Sequence, residues 1–88
     1  MIKPIKKSEA RILLYLSVAP LHNRYVAKLT RKLDMDSTYA YTLLGRMTEK
    51  NWISCERTRG KTFYSVADES KVMEAQNLLQ NINKTKEV

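Results

Sequence analysis

The side chains with most chemistry to offer stand close together. Ser37, Thr38, Tyr41, Thr42 and Arg46 carry three aliphatic hydroxyls, a phenol and a guanidinium, and no acid falls among them. Their spacings of three and four put them on one side of a helix. Ala40, Leu43, Leu44 and Met47 recur at the same period on the other side, which predicts burial there. Asp36, just ahead, has a carboxylate suited to the free N–H groups of a first helical turn. A merely solvated face would more often carry Glu and Lys pairs; this one suits a polar, negative partner. Farther along, Arg57, Arg59 and Lys61 flank Gly60 and add three cations at a turn.

Catalytic chemistry finds no comparable set. The chain has one histidine, His22, one cysteine, Cys55, and two glycines. No Ser/His/Asp or Cys/His set, thiol metal centre or phosphate-cradling glycine loop is read from them, and an enzyme is the least favoured reading. No enzyme and no cofactor is expected. His22 reads as a loop side chain and Cys55 as a buried strand thiol, with an intersubunit disulfide left open.

Eighty-eight residues predict one small domain, 1–88, with a modest core of the kind that oligomerisation often completes. Sixteen Lys and Arg against nine Asp and Glu give a net charge of +7, which favours polyanions: nucleic acid first, a membrane surface second. Met1 to Lys7 lacks the apolar stretch of a signal peptide, and Ile12 to Leu16 is too short to cross a bilayer. A soluble, cytoplasmic protein is expected.

These groups need elements to hold them. Residues 1–7 read as a basic arm. Ser8 is expected to cap a first helix whose apolar side (Ile12, Leu13, Tyr15, Leu16) is wide enough for its own domain and a second copy. Pro20 ends it, and Leu21 to Arg24 is a loop. Tyr25 and Val26 read as a brief strand. A short helix then turns Val26, Leu29 and Leu33 inward and Lys28, Arg31 and Lys32 outward. Asp34-Met35-Asp36 is a turn, Asp34 taking a left-handed conformation. The next helix runs from Ser37 to about Lys50, with Asn51 as C-cap. Ile53–Arg57 and Thr62–Val66 read as strands joined by Thr58 to Lys61, with Ile53, Cys55, Tyr64 and Val66 inward. Asp68 caps a helix over 69–83, on which Val72, Ala75, Leu79 and Ile82 form a seam. A helix of a second copy and the first helix of the same chain are both open as the seam's partner. Residues 84–88 are a polar tail.

A helix fits the major groove of B-DNA, and a cationic hairpin beside it can reach the minor groove or the backbone. At this point the chain resembles the winged helix-turn-helix transcription regulators of bacteria and archaea, such as the MarR, ArsR and PadR families, with a viral host also open. The resemblance rests on Val26-Ala27-Lys28-Leu29-Thr30-Arg31-Lys32-Leu33-Asp34-Met35-Asp36, on Leu44-Gly45-Arg46-Met47-Thr48-Glu49-Lys50-Asn51-Trp52-Ile53, and on Arg59-Gly60-Lys61-Thr62-Phe63-Tyr64-Ser65-Val66. It implies a mainly α fold with a small β-hairpin wing (α+β), a core over 8–66 and a C-terminal dimerisation helix. It also implies a homodimeric, sequence-specific regulator of double-stranded DNA, with recognition helix 37–50 in the major groove and wing 57–62 on the minor groove or backbone. Recognition positions fall on Ser37, Thr38, Tyr39, Tyr41, Thr42 and Arg46, and wing positions on Arg57, Arg59 and Lys61. Arg24, Lys28 and Arg31 would join the wing on phosphates. Ile12, Leu16, Val72, Ala75, Leu79 and Ile82 would form the dimer interface. Asp34 and Asn51 stand where the family pattern has glycine, and Gly45 interrupts the recognition helix at a cost of about 1 kcal/mol against Ala. A winged-helix module that binds protein instead of DNA is the alternative. A small-molecule effector held by the tyrosines and Trp52 at a dimer interface is left open.

Overall fold

The structure is a computed structural model that describes residues 5–87, with side chains described through residue 80. Helix α1 spans Lys7–Val18, a short 3₁₀ turn Leu21–Asn23, α2 Val26–Leu33 and α3 Ser37–Glu49. Strands β1 (Ile53–Thr58) and β2 (Lys61–Val66) form an antiparallel hairpin, and α4 (Glu69–Glu87) closes the chain.

The N-cap of helix α1 lies two residues before the expected Ser8. Lys6 is the N-cap, and the Glu9 carboxylate reaches back to accept its backbone N–H at 2.9 Å. Such a contact from the third helical position satisfies one of the orphan donors of a helix start. Ile5 packs on the core just ahead of the cap. The end of the basic arm is therefore part of the folded body.

The wide apolar side of α1 is answered within the chain. Ala10, Ile12, Leu13 and Leu16 are buried, and α1 packs against α4, α2 and β2. From α4, Val72 and Ala75 are buried, while Leu78 and Leu79 are half-buried against the same core. Ile12, Leu16, Val72 and Ala75, expected at a dimer interface, are buried within the monomer, because α4 folds back on α1. Leu79 keeps part of its surface, and Ile82 lies outside the residues with described side chains.

The turns around α3 are built from local chemistry. Asp34 ends α2 in the left-handed region (φ 53°), and the Met35 N–H donates to the Thr30 carbonyl at 2.9 Å. Asp36 caps α3, its carboxylate accepting the Tyr39 N–H at 3.1 Å. At the far end Asn51 has φ 62°, with Asn51 N–H on Thr48 O and Trp52 N–H on Met47 O, both at 3.0 Å. That pair of bonds is the Schellman motif, and the buried Trp52 and Met47 supply its usual apolar contact. Trp52 O then accepts the Ala67 and Asp68 N–H groups, tying the start of α4 to the end of α3.

The hairpin is tighter than expected. Strand pairing reaches Thr58↔Lys61, so the turn is Arg59-Gly60 alone, with φ 52° and 80°. A two-residue turn with positive φ at both positions is type I′, whose twist matches the strands. The brief strand at Tyr25 is a single bridge to Phe63.

Candidate nucleic-acid interface

Helix α3 presents its two sides as their residue types require. Ala40, Leu43, Leu44 and Met47 are buried, whereas Ser37, Thr38, Tyr39, Tyr41, Thr42 and Arg46 are exposed. Tyr41 stands 58% exposed, a costly display of ring surface unless something covers it. Thr42 parks its hydroxyl on the Thr38 carbonyl at 3.1 Å, a bond that leaves its oxygen free to accept another. Tyr39 differs from its neighbours. Its hydroxyl donates to Ser8 Oγ at 3.3 Å, so this side chain leans toward the start of α1.

The hairpin brings its cations to the same region. Side chains alternate across a strand. Ile53, Cys55 and Arg57 therefore share the face that looks toward the body, opposite Val66, Tyr64 and Thr62. Ile53 and Tyr64 of this face are buried in the core and Val66 packs against it; toward the turn the hairpin overhangs. Cys55 is exposed, which corrects the expected buried thiol: it shares the inward face, but the core covers its cross-strand partner Tyr64 and not Cys55 itself. Burial pushes the Tyr64 phenol above its usual range, and the neighbouring Cys55 and Tyr41 add to the shift.

Between the start of α2, Tyr41 of α3 and the wing lies a groove of about 420 Å³, lined by Tyr25, Val26, Ala27, Tyr41, Arg57, Gly60, Lys61 and Thr62. Lys61 places its ammonium 4.5 Å from the centre of the Tyr25 ring, whose other contact is an edge-on Phe63 at 5.8 Å. No acid lines this groove. Among the described residues the side-chain ion pair is Lys71–Glu74 at 3.0 Å, away from α3 and the wing. Arg46, Arg57, Arg59 and Lys61 thus keep their charge uncompensated by an ion pair there. Tyr25 is the groove residue that sequence reading missed. Its signal was available: an aromatic side chain at a helix N-cap makes no capping hydrogen bond, so its presence there must serve packing or contact.

Three other expected phosphate contacts stand apart. Arg24 is half-buried; its Nε donates to the Ala19 carbonyl at 2.7 Å and its guanidinium reaches Ser65 Oγ at 3.4 Å. It clasps the end of α1 to β2. Lys28 and Arg31 are exposed, but they line a different concavity, beside the end of α1. At about 100° per residue, Ala27 faces the wing groove while Lys28 turns away from it, and Arg31 lies between the two directions. His22 is exposed in the 3₁₀ turn, and no group of three or more His, Cys, Asp or Glu able to hold a metal occurs among the described residues. No helix of the described residues is long and apolar enough to cross a membrane.

No family model matches the sequence, and no curated protein matches it. Solved structures do. A protein described as the predicted DNA-binding transcriptional regulator from E. coli aligns with a TM-score of 0.71 at 23% identity, over 88% of this chain and 78% of its own. A point mutant of Lactococcus lactis ZitR gives the same TM-score of 0.71 at 21% identity, covering 98% of this chain and 57% of its own. SSV1 F-93 aligns at TM-score 0.59 and 18% identity, over 99% of this chain and 98% of its own. The likeness is one of fold, and with the helix order and the hairpin it makes this chain a winged helix-turn-helix.

Proposed function

We propose that this chain binds double-stranded DNA as a sequence-specific transcription regulator and acts as a homodimer. One observation carries the reading: Tyr41, from the exposed, acid-free side of α3, and Arg57 and Lys61 of the wing line one groove that has no acid in its lining. The name of the E. coli neighbour, a predicted DNA-binding transcriptional regulator, and the winged fold support the same class. In this reading α3 enters the major groove, where Ser37, Thr38, Tyr41, Thr42 and Arg46 meet base edges, and Tyr39 touches the margin. Arg57, Arg59 and Lys61 bind phosphates or reach the minor groove. Arg31 assists from the edge, while Arg24 acts by holding β2 in place. Two copies would pair through the far part of α4, whose 19 residues outrun the 12 of α1 and include the half-buried Leu79. The two recognition helices would then meet successive major grooves about 34 Å apart.

Selection of bound duplexes from a random library tests this directly. A twofold-symmetric enriched site is expected. With about six phosphate contacts in a dimer, affinity should fall on the order of 10³-fold between 50 and 200 mM salt. Arg59→Ala should weaken binding to all duplexes alike and flatten that slope by about one contact per subunit, whereas Thr42→Val should change which site is preferred. Absence of any duplex binding at low salt would overturn the reading in favour of a winged helix that binds protein.

A further inference from the structure

A second concavity, of about 440 Å³, lies between the end of α1 and the outer side of α2, and the proposed DNA interface does not account for it. Val18, Ala19 and Pro20 form its apolar wall; Lys28, Arg31 and Lys32 line it from α2, and no acid does. Apolar surface continues past its rim. Val18 is 81% exposed, and Leu21, next to Pro20 in the chain, is 59% exposed. Exposed apolar side chains gathered beside polar ones mark a contact site more often than a solvated surface.

We propose that this groove docks a short acidic amphipathic segment of a partner protein. The segment's apolar side chains cover Val18, Ala19 and Pro20, and its carboxylates pair with Lys28 and Lys32. Charge complementarity selects the occupant: three cations stand in the lining of a chain whose net charge is +7, so an acidic partner is both steered in and discriminated from a basic one. The apolar wall argues against a phosphate backbone, which offers charge but little apolar surface to cover it. Apolar surface that runs over the rim onto Leu21 argues for an occupant larger than a small anion seated in a pocket. Because α2 turns Lys28 and Lys32 away from the wing groove, a partner held here leaves α3 and the wing free. The groove is then a recruiting surface on a DNA-bound protein.

The probe is a synthetic 15-residue helical peptide with leucines at positions three and four apart and glutamates between them. Two controls carry glutamine for every glutamate or serine for every leucine. Titrated into the full chain and followed by amide chemical shifts, the acidic amphipathic peptide should perturb Val18, Ala19, Asn23, Lys28 and Lys32 and bind more tightly than either control. Val18→Ser and Lys28→Gln should each weaken it about fivefold, the size of one modest contact or exposed ion pair. Both replace exposed side chains, so the fold is kept, and unchanged dispersion of the core amides verifies it. Binding should persist when a duplex is bound. The proposal falls if either control binds equally well, if the perturbed amides belong to Tyr41, the wing or α4, or if octanoate saturates the same amides as tightly as the peptide. None of these outcomes bears on duplex binding, which is measured separately.

Discussion

Gly45 stands on the side of α3 shared by Thr38, Tyr41 and Thr42, and a β-carbon built there would meet nothing within 4 Å. No packing within the chain accounts for it, so the glycine is either an unforced weakness or a clearance for something outside. Gly45→Ala is expected to stabilise the free protein by about 0.5–1 kcal/mol in a denaturant titration. If a DNA strand comes close to that side, the same change weakens duplex binding. A stabilised variant with unaltered duplex affinity would move the contact away from Gly45. The left-handed residues differ in how readable they were. Asp34 and Asn51 tolerate positive φ and follow apolar helical periods, so their place was legible. Arg59 was not, because Gly60 seemed enough for a turn; only the pairing of Thr58 with Lys61 forces both turn residues to positive φ.

At the scale of elements, the hairpin and α4 each carry a check. Cys55 lies on the hairpin face toward α3 and is open to solvent. A maleimide or aromatic disulfide reagent should therefore label the native protein at a rate close to that of the unfolded chain. A bound duplex covering the wing groove should slow that labelling, and unchanged labelling under saturating duplex would place the DNA elsewhere. Asp68 opens α4, accepting both the Ser70 hydroxyl at 2.6 Å and the Ser70 N–H at 3.1 Å. The Ser70 hydroxyl is the main cause that holds this carboxyl below its usual 3.8. A lowered folded-state pKa contributes stability that is complete above the unfolded value and is lost as pH falls through the folded one. Melting temperature should thus decline on acidification below about pH 4. Asp68→Asn should reduce that component of the acid decline, while a profile identical to wild type would deny the cap its role.

For the whole molecule, α1 packs against α2, β2 and α4, and its apolar side is buried within the chain. Leu16→Ala should cost about 2–5 kcal/mol of folding stability, as a cavity in a packed core does. If instead it left stability intact and only shifted the sedimentation of a dimer, Leu16 would belong to an interface after all. The seam on α4 illustrates why this was undecidable from spacing. A stripe at three and four states that a helix is covered, and it carries no information on whether the cover comes from the same chain or another. The same holds for Lys28 and Arg31. Outward-facing cations on α2 were legible, but which of two concavities they line depends on where the end of α1 and the wing lie relative to that helix.

Local chemistry by itself determined the helices, the caps of α3 and α4, the left-handed ends of α2 and α3, the acid-free side of α3 and the cationic turn. Each of these follows from interactions among residues a few positions apart, where covalent geometry keeps the partners close. Tertiary structure alone decided that α4 covers α1, that Arg24 clasps β2, that Cys55 overhangs the core and that Tyr25 walls the groove beside Tyr41. Those partners are far apart in sequence and meet only when burial of the common core selects one packing among several that the same periodicities allow.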